Sequence, residues 1–140
     1  MHRALGYGLA GAAGAAGLGG LAFIALRGTV GGAPMDAGFG LYGALLVLAA
    51  IMAVRLSRAE EYRRHERWAL RLAVLAMGSW LYRVQYGLWY LATGGAASRP
   101  DFSGAFDLAM NWAFFLPWLV VLELWLRRPR RAIDPAPAAP

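Results

Sequence analysis

The stretch that decides the fold is Arg58-Ala59-Glu60-Glu61-Tyr62-Arg63-Arg64-His65-Glu66-Arg67-Trp68-Ala69-Leu70-Arg71, the only long polar interval in an otherwise apolar chain. It divides the protein into two halves. The 140 residues are 59% hydrophobic and only 16% charged, against roughly 25% charged residues in soluble domains. A water-soluble core of this length could not bury so much apolar surface, so the composition predicts a membrane protein.

The charge distribution indicates which kinds of protein to exclude. All 14 cations are Arg, and the formal net charge is +6. They gather beside apolar runs and accompany no helix-turn-helix or zinc pattern, which favours membrane orientation over nucleic-acid binding. The chain has no cysteine, which excludes disulfides, thiolate metal sites and cysteine nucleophiles.

The apolar runs on both sides of the polar interval predict an all-α protein, an antiparallel bundle of four transmembrane helices. We predict these helices at residues 4–26, 38–54, 68–92 and 105–126 of a transmembrane domain covering 1–126, because a helix crosses the bilayer with about 20 residues. Pro117 predicts a bend between Ala113 and Pro117. The polar interval is predicted to extend the third helix. Residues 127–140 form a basic, Pro/Ala-rich tail with too little apolar content to fold alone.

The first helix opens like a signal peptide, on Met1-His2-Arg3. Its apolar run is longer than the roughly 7 to 15 residues of a signal sequence, so we expect it to be retained. Arg residues then set the orientation, since positive loops stay inside. With cytoplasmic termini only Arg27 and Arg99 lie outside, and the protein is predicted to cross a bacterial inner membrane.

Small residues recur at four-residue spacing along the first helix, at Gly8, Ala12, Ala16 and Gly20. Such a row lets two helix backbones approach closely in a membrane. It predicts a docking face for a partner helix. Intramolecular packing, or simply an Ala-rich composition, would explain the same pattern.

Arg83 is the residue with the highest free-energy cost of membrane insertion, since a charge well inside a membrane helix costs about 2.5–3.5 kcal/mol on insertion scales. Antiparallel third and fourth helices would place Asp107 or Asn111 at a similar depth, and Gln85 is close in sequence. We therefore predict an Arg83–Asp107 ion pair. The functional alternative is that Arg83 binds an anionic lipid headgroup, a quinone carbonyl or a haem propionate.

His2 and His65 are the only histidines, and the predicted topology places both at the cytoplasmic face. Two imidazoles from different helices could ligate one haem b. An interfacial histidine without a ligand role is the simpler interpretation. No motif for another metal site or for catalysis is present.

The arginines of the polar interval, Arg63, Arg64, Arg67 and Arg71, have three interpretations. They are a topology signal, a contact to anionic lipids worth about 1 kcal/mol per Arg, or a docking patch for an acidic partner. The topology signal needs no further assumption.

Several short motifs resemble a bacterial family of predicted membrane proteins known as domain of unknown function 2306. They are Arg64-His65-Glu66-Arg67-Trp68-Ala69-Leu70-Arg71, Leu81-Tyr82-Arg83, Trp112, Pro117 and Glu123-Leu124-Trp125-Leu126-Arg127-Arg128, with an opening His2-Arg3-Ala4-Leu5-Gly6 that is similar to the family's His-Arg-x-x-Gly motif. Members often carry further helices, with another histidine, before that motif. The resemblance therefore implies that a ligand-bearing helix is missing here, or that the start lies further upstream. It implies no activity.

These patterns lead to a functional hypothesis without catalysis. We expect an accessory or scaffolding subunit of a larger membrane complex, of respiratory or photosynthetic type, in contact with lipids and other membrane subunits. The alternative is an electron-transfer protein that binds haem b or quinone through His65, His2 and Arg83, and a bound pigment is also open. A small transporter ranks last, because it would need intramembrane acids along a path.

Overall fold

The computed structural model describes residues 2–128, with side chains from Ala4 onward, and these residues form helices and turns with no strand. The helices are α1 (His2–Arg27), α2 (Gly32–Arg58), α3 (Tyr62–Thr93), α4 (Ala105–Ala113) and α5 (Leu116–Leu126). The tail from residue 129 lies outside the described residues. We call the end with the α2–α3 turn (59–61) the polar end, and the end with segments 28–31 and 94–104 the loop end.

The first two helices cross where both have glycine. A Cβ on Gly17 would lie 2.8 Å from Val47 Cγ2 and 3.0 Å from the Gly43 carbonyl oxygen, and one on Gly43 would lie 3.1 Å from Leu21 Cγ. The side chains that α1 buries are also small, namely those of Ala10 and Ala13. Small residues therefore let the α1 and α2 backbones approach closely.

A similar contact joins α2 to α3. The Tyr42 ring covers Gly78, where an added Cβ would lie 2.9 Å from the ring. The Tyr42 hydroxyl donates a hydrogen bond of 2.7 Å to the Leu75 carbonyl oxygen. The ring thus fills the space that Gly78 leaves open, and α2 becomes the central helix that contacts both α1 and α3.

The last membrane helix is broken at Phe114 and Phe115, as the bend prediction required. Pro117 has no N–H to donate to the Ala113 carbonyl, so the regular helical bonding stops there. The Phe115 N–H instead reaches the Trp112 carbonyl oxygen at 3.4 Å. Both phenylalanine side chains are fully buried and pack against Phe39, Tyr42 and Tyr82. The break places two large rings at the centre of the core.

The helix boundaries differ from the predicted ones on both sides of the loops. α2 begins six residues earlier than predicted, because Pro34 lies in its first turn, where a missing N–H has no intrahelical partner anyway. α3 begins at Tyr62 instead of residue 68. The polar interval is therefore helical apart from a short turn at Glu60, whose φ is 59°, and the prediction of a helical extension is confirmed.

Three helices are long and apolar enough to cross a membrane: Ala4–Arg27, Gly32–Arg58 and the combined Ala105–Leu126. The membrane-protein prediction is confirmed to that extent. α3 has the length for a fourth span, but Arg71, Arg83 and Gln85 reduce its mean hydropathy. The four-span topology and the cytoplasmic termini stay predictions.

Candidate functional site

The candidate functional site is a groove between α1 and α3, with α2 as its floor. Its volume is about 450 Å³, within the roughly 300–1,000 Å³ of small-molecule sites. Small residues of α1 form one wall: Ala16, Gly17 and Gly20. The groove is open on one side, because α1 packs mainly on α2 and contacts α3 only slightly.

The opposite wall of the groove carries its polar groups, which come from α3. Arg83 Nη1 donates to the Ser79 carbonyl oxygen at 2.9 Å and to Ser79 Oγ at 2.7 Å. Tyr82 also lines the groove, and its hydroxyl is buried with no hydrogen-bond partner among the described residues. Apolar side chains of Phe39, Leu46 and Phe114 complete the lining. The groove thus combines one guanidinium with mostly apolar surface.

Arg83 points toward the middle of α3. Ser79 lies one turn before Arg83, in the direction that helical side chains normally take. At 1.5 Å per residue, Ser79 is roughly 21 Å from Thr93 and roughly 25 Å from Tyr62. The guanidinium therefore does not reach toward the nearer helix end, where water would lower the cost of its charge.

The predicted Arg83–Asp107 ion pair is wrong. Asp107 is fully buried, and its carboxylate accepts four hydrogen bonds from other groups. Tyr86 Oη and Ser98 Oγ donate to Oδ1 at 2.8 and 2.7 Å, and the backbone N–H groups of Arg99 and Gly104 donate to Oδ2 at 2.9 and 3.0 Å. These four donors use all the acceptor directions of the Asp107 carboxylate. Asp107 therefore joins α3 and segment 94–104 to the start of α4, and in this way closes the loop end.

Asn111, the other proposed partner of Arg83, is buried elsewhere. It packs against α2 where Gly38 leaves room, and a Cβ on Gly38 would lie 2.5 Å from the Asn111 carbonyl oxygen. Both polar side-chain atoms of Asn111 are buried without a hydrogen-bond partner among the described residues. No ion pair within the described part of the chain includes Arg83.

His65 lies at the polar end and lines a different cavity, of about 170 Å³, with Tyr7, Ala10 and Ser57. Its Nδ1 is 2.8 Å from the Ala53 carbonyl oxygen. A carbonyl only accepts, so Nδ1 carries the proton and Nε2 has the lone pair in the neutral ring. That orientation is compatible with metal ligation, but the cavity is below the roughly 300 Å³ of ordinary ligand pockets.

The three residues of the predicted cofactor site are not brought together. Arg83 follows His65 by 18 residues on one helix, a separation of roughly 27 Å, so the two cannot contact one small ligand. The side chain of His2 lies outside the described residues. The backbone of α1 begins at the polar end, which is the end where His65 also lies. Among the described side chains, no group of three His, Asp or Glu could hold a metal ion.

The basic residues of the polar interval are partly brought together. Arg64, Arg67, Trp68 and Arg71 line an open recess of about 360 Å³, whereas Arg63 lies outside it. Arg64 pairs with Glu61 at 2.7 Å. Arg71 binds Glu123 through two hydrogen bonds of 2.5 and 3.0 Å and stacks 4.8 Å above the Trp68 ring. From its place near the inner end of the fourth predicted helix, the sequence predicts that Glu123 faces Arg67, Arg71 or Arg127, and the bond to Arg71 confirms that prediction.

No protein-family model, curated protein or solved structure matches this chain. Sequence reasoning had found Arg83 but missed Ser79, Tyr82 and Tyr42, which lie around it. One signal was available, because Ser79 precedes Arg83 by four residues and so lies on the same face of a helix.

Proposed function

We propose that this protein is a non-catalytic subunit of a larger complex in the bacterial inner membrane, of the respiratory or photosynthetic type. In this proposal α3 supplies a fourth span and the polar end is cytoplasmic. Three span-like helices support the membrane location. The concentration of Arg residues at the polar end supports the orientation, since within residues 4–128 only Arg27 and Arg99 lie at the loop end.

The observation that carries the proposal is the exposed row of small residues on α1. Gly8, Ala12, Ala16 and Gly20 are all exposed, and a Cβ added to Gly8 or Gly20 would meet no atom within 4 Å. The contact with α2 uses another face, which includes Ala10 and Gly17. Packing within this chain therefore does not account for the exposed row.

A row of glycine and alanine favours a neighbouring helix over lipid. Glycine is less favourable than alanine in a helix by about 1 kcal/mol, and membrane helices use small residues where backbones come close. The face of α1 around Gly8 and Ala12 carries this cost of glycine and is small enough for close backbone contact. A helix of another subunit would gain packing contacts there that lipid chains do not provide.

The recess formed by Arg64, Arg67, Trp68 and Arg71 supports a membrane-surface location for the polar end. Arginine and tryptophan together are typical of the boundary between lipid headgroups and water. Since Arg64 and Arg71 already have carboxylate partners, Arg67 is the residue of this recess best placed to contact anionic lipid or an acidic partner.

The docking face is tested by purification in mild detergent from the native membrane, with Ala12→Leu compared with wild type. Ala25→Leu is the matched control, because Ala25 is also exposed on α1 but roughly 140° around the helix from Ala12. We expect wild type and Ala25→Leu to recover stoichiometric partners, and Ala12→Leu to lose them. A stable solitary wild-type monomer would refute the proposal.

The orientation is tested with single cysteines, because the natural chain has none. Glu60→Cys lies in the α2–α3 turn and Ser103→Cys in the loop before α4, and both positions are exposed. An impermeant maleimide added to intact spheroplasts should label Ser103→Cys and not Glu60→Cys. The reverse pattern would overturn the predicted topology.

A further inference from the structure

The groove between α1 and α3 contains a charge that the described residues do not neutralise. Arg83 is directed toward the middle of α3 by Ser79, and the nearest acid predicted from sequence, Asp107, has four other donors. This inference rests on the proposed function, in which α3 is the fourth span, because a guanidinium at that depth is costly unless it is paired. An anion that can enter the membrane would supply the missing partner.

The shape and surface of the groove restrict that anion further. Apart from Arg83, Ser79 and two tyrosines, the lining is apolar, and the space of about 450 Å³ is larger than a headgroup alone would need. A ligand that fits must therefore join an anionic group to an apolar chain. Small α1 residues, Ala16 and Gly20, leave room for that chain along the wall, while Gly8 and Ala12, nearer the polar end, stay available to a partner helix.

We propose that this groove binds a single-chain fatty acid, with its carboxylate on the Arg83 guanidinium and its acyl chain along the apolar lining. Arginine presents a planar fork that matches a carboxylate. A carboxylic acid can enter the membrane in its neutral form and ionise beside the cation, whereas a phosphate stays charged. A quinone has no charge and would leave the guanidinium unpaired.

The test uses the full-length protein in phosphatidylcholine nanodiscs with palmitate labelled with ¹³C at the carboxyl carbon. We expect one saturable population per protein, whose carboxyl titrates at lower pH than palmitate in empty nanodiscs, because the guanidinium stabilises the anion. Arg83→Gln should weaken binding at least roughly tenfold and abolish the low-pH population. Arg83→Lys should retain it, and Arg55→Gln, a charge control at the exposed polar end of α2, should bind like wild type.

A second pair of variants tests the groove without changing Arg83. Gly20→Leu would fill it from the α1 wall, where an added Cβ meets no atom within 4 Å, and Ala25→Leu places the same side chain outside it. We expect only Gly20→Leu to lose palmitate, with unchanged helix content by circular dichroism. This pair decides the question if Arg83→Gln does not fold.

Three results would overturn the proposal. One is the absence of a saturable palmitate population in the wild-type protein. Another is equal affinity for hexadecanol, which has the chain but no charge. The third is displacement of palmitate by decylubiquinone at a lower concentration than by unlabelled palmitate, which would assign the groove to a quinone. Loss of subunit partners in Ala12→Leu does not bear on any of them.

Discussion

Replacing Asp107 by Asn would remove the negative charge from the hydrogen bonds that close the loop end. Each carboxylate oxygen accepts two bonds, from Tyr86 and Ser98 on Oδ1 and from two backbone N–H groups on Oδ2. An amide oxygen that faces the two N–H groups keeps those bonds, and the NH₂ then faces two hydroxyls, which can rotate to accept from it. Asn can therefore keep the four contacts, but none of them is to a charged group.

The magnitude follows from the lost charge. A hydrogen bond to a charged group contributes about 1.5–3 kcal/mol and a neutral one about 0.5–1.5 kcal/mol, so neutralising four bonds would cost roughly 4–6 kcal/mol if nothing offset the change. Ser98 is half-buried and Arg99 is exposed, so water can reach part of the cluster. We expect Asp107→Asn to lower the free energy of unfolding by about 2–4 kcal/mol.

The assay is equilibrium unfolding in dodecyl maltoside with increasing dodecyl sulfate, followed by circular dichroism. The control is Asp101→Asn, because Asp101 is exposed and its hydrogen bonds are to the neighbouring Ser103; we expect a change within about 0.5 kcal/mol. Combining Asp107→Asn with Tyr86→Phe should cost less than the sum of the two single changes, since they share one bond. Equal stability of Asp107→Asn and Asp101→Asn would refute this account of the loop end.

Two further changes test contacts at opposite ends of the last span. Gly104→Ala should lower the free energy of unfolding by about 1–3 kcal/mol, because its Cβ would collide with the Ala97 carbonyl oxygen; a stability equal to wild type in the same assay would show that the loop relaxes freely. Glu123→Gln should cost about 1–2 kcal/mol, between the values of exposed and buried pairs, because Arg71 loses its charged partner. If Glu123→Gln has the same effect when Arg71 is already Gln, the ion pair is not the cause.

Length, apolarity and proline chemistry were sufficient to predict most of the fold. The apolar runs gave the helices, and Pro117 gave the break before α5 because a missing N–H acts locally. The start of α2 was missed since Gly31, Gly32 and Pro34 resemble a loop. In a first turn, however, the same proline is compatible with a helix. Local sequence is ambiguous there because tertiary packing decides how far a helix continues.

The Arg83–Asp107 prediction was wrong because it used depth alone. Two residues at equal distance from a loop meet only if their helices also turn the right faces toward each other. Asp107 is the third residue of α4 and faces back over the loop, where Ser98 and Gly104 become its donors. Loop conformation is not readable from composition, so that site required the structure. The Arg71–Glu123 contact was predictable because the charges gave few alternatives.

The Arg71–Glu123 pair also has a consequence for how the chain enters the membrane during synthesis. The two residues are 52 positions apart, so Arg71 leaves the ribosome well before its partner exists. α3 is also absent from the three helices that are apolar enough to cross alone. We therefore expect α3 to wait at the membrane surface and to insert together with the last span as a hairpin. Chains truncated after Ser103 should leave α3 accessible to protease, whereas full-length chains should protect it.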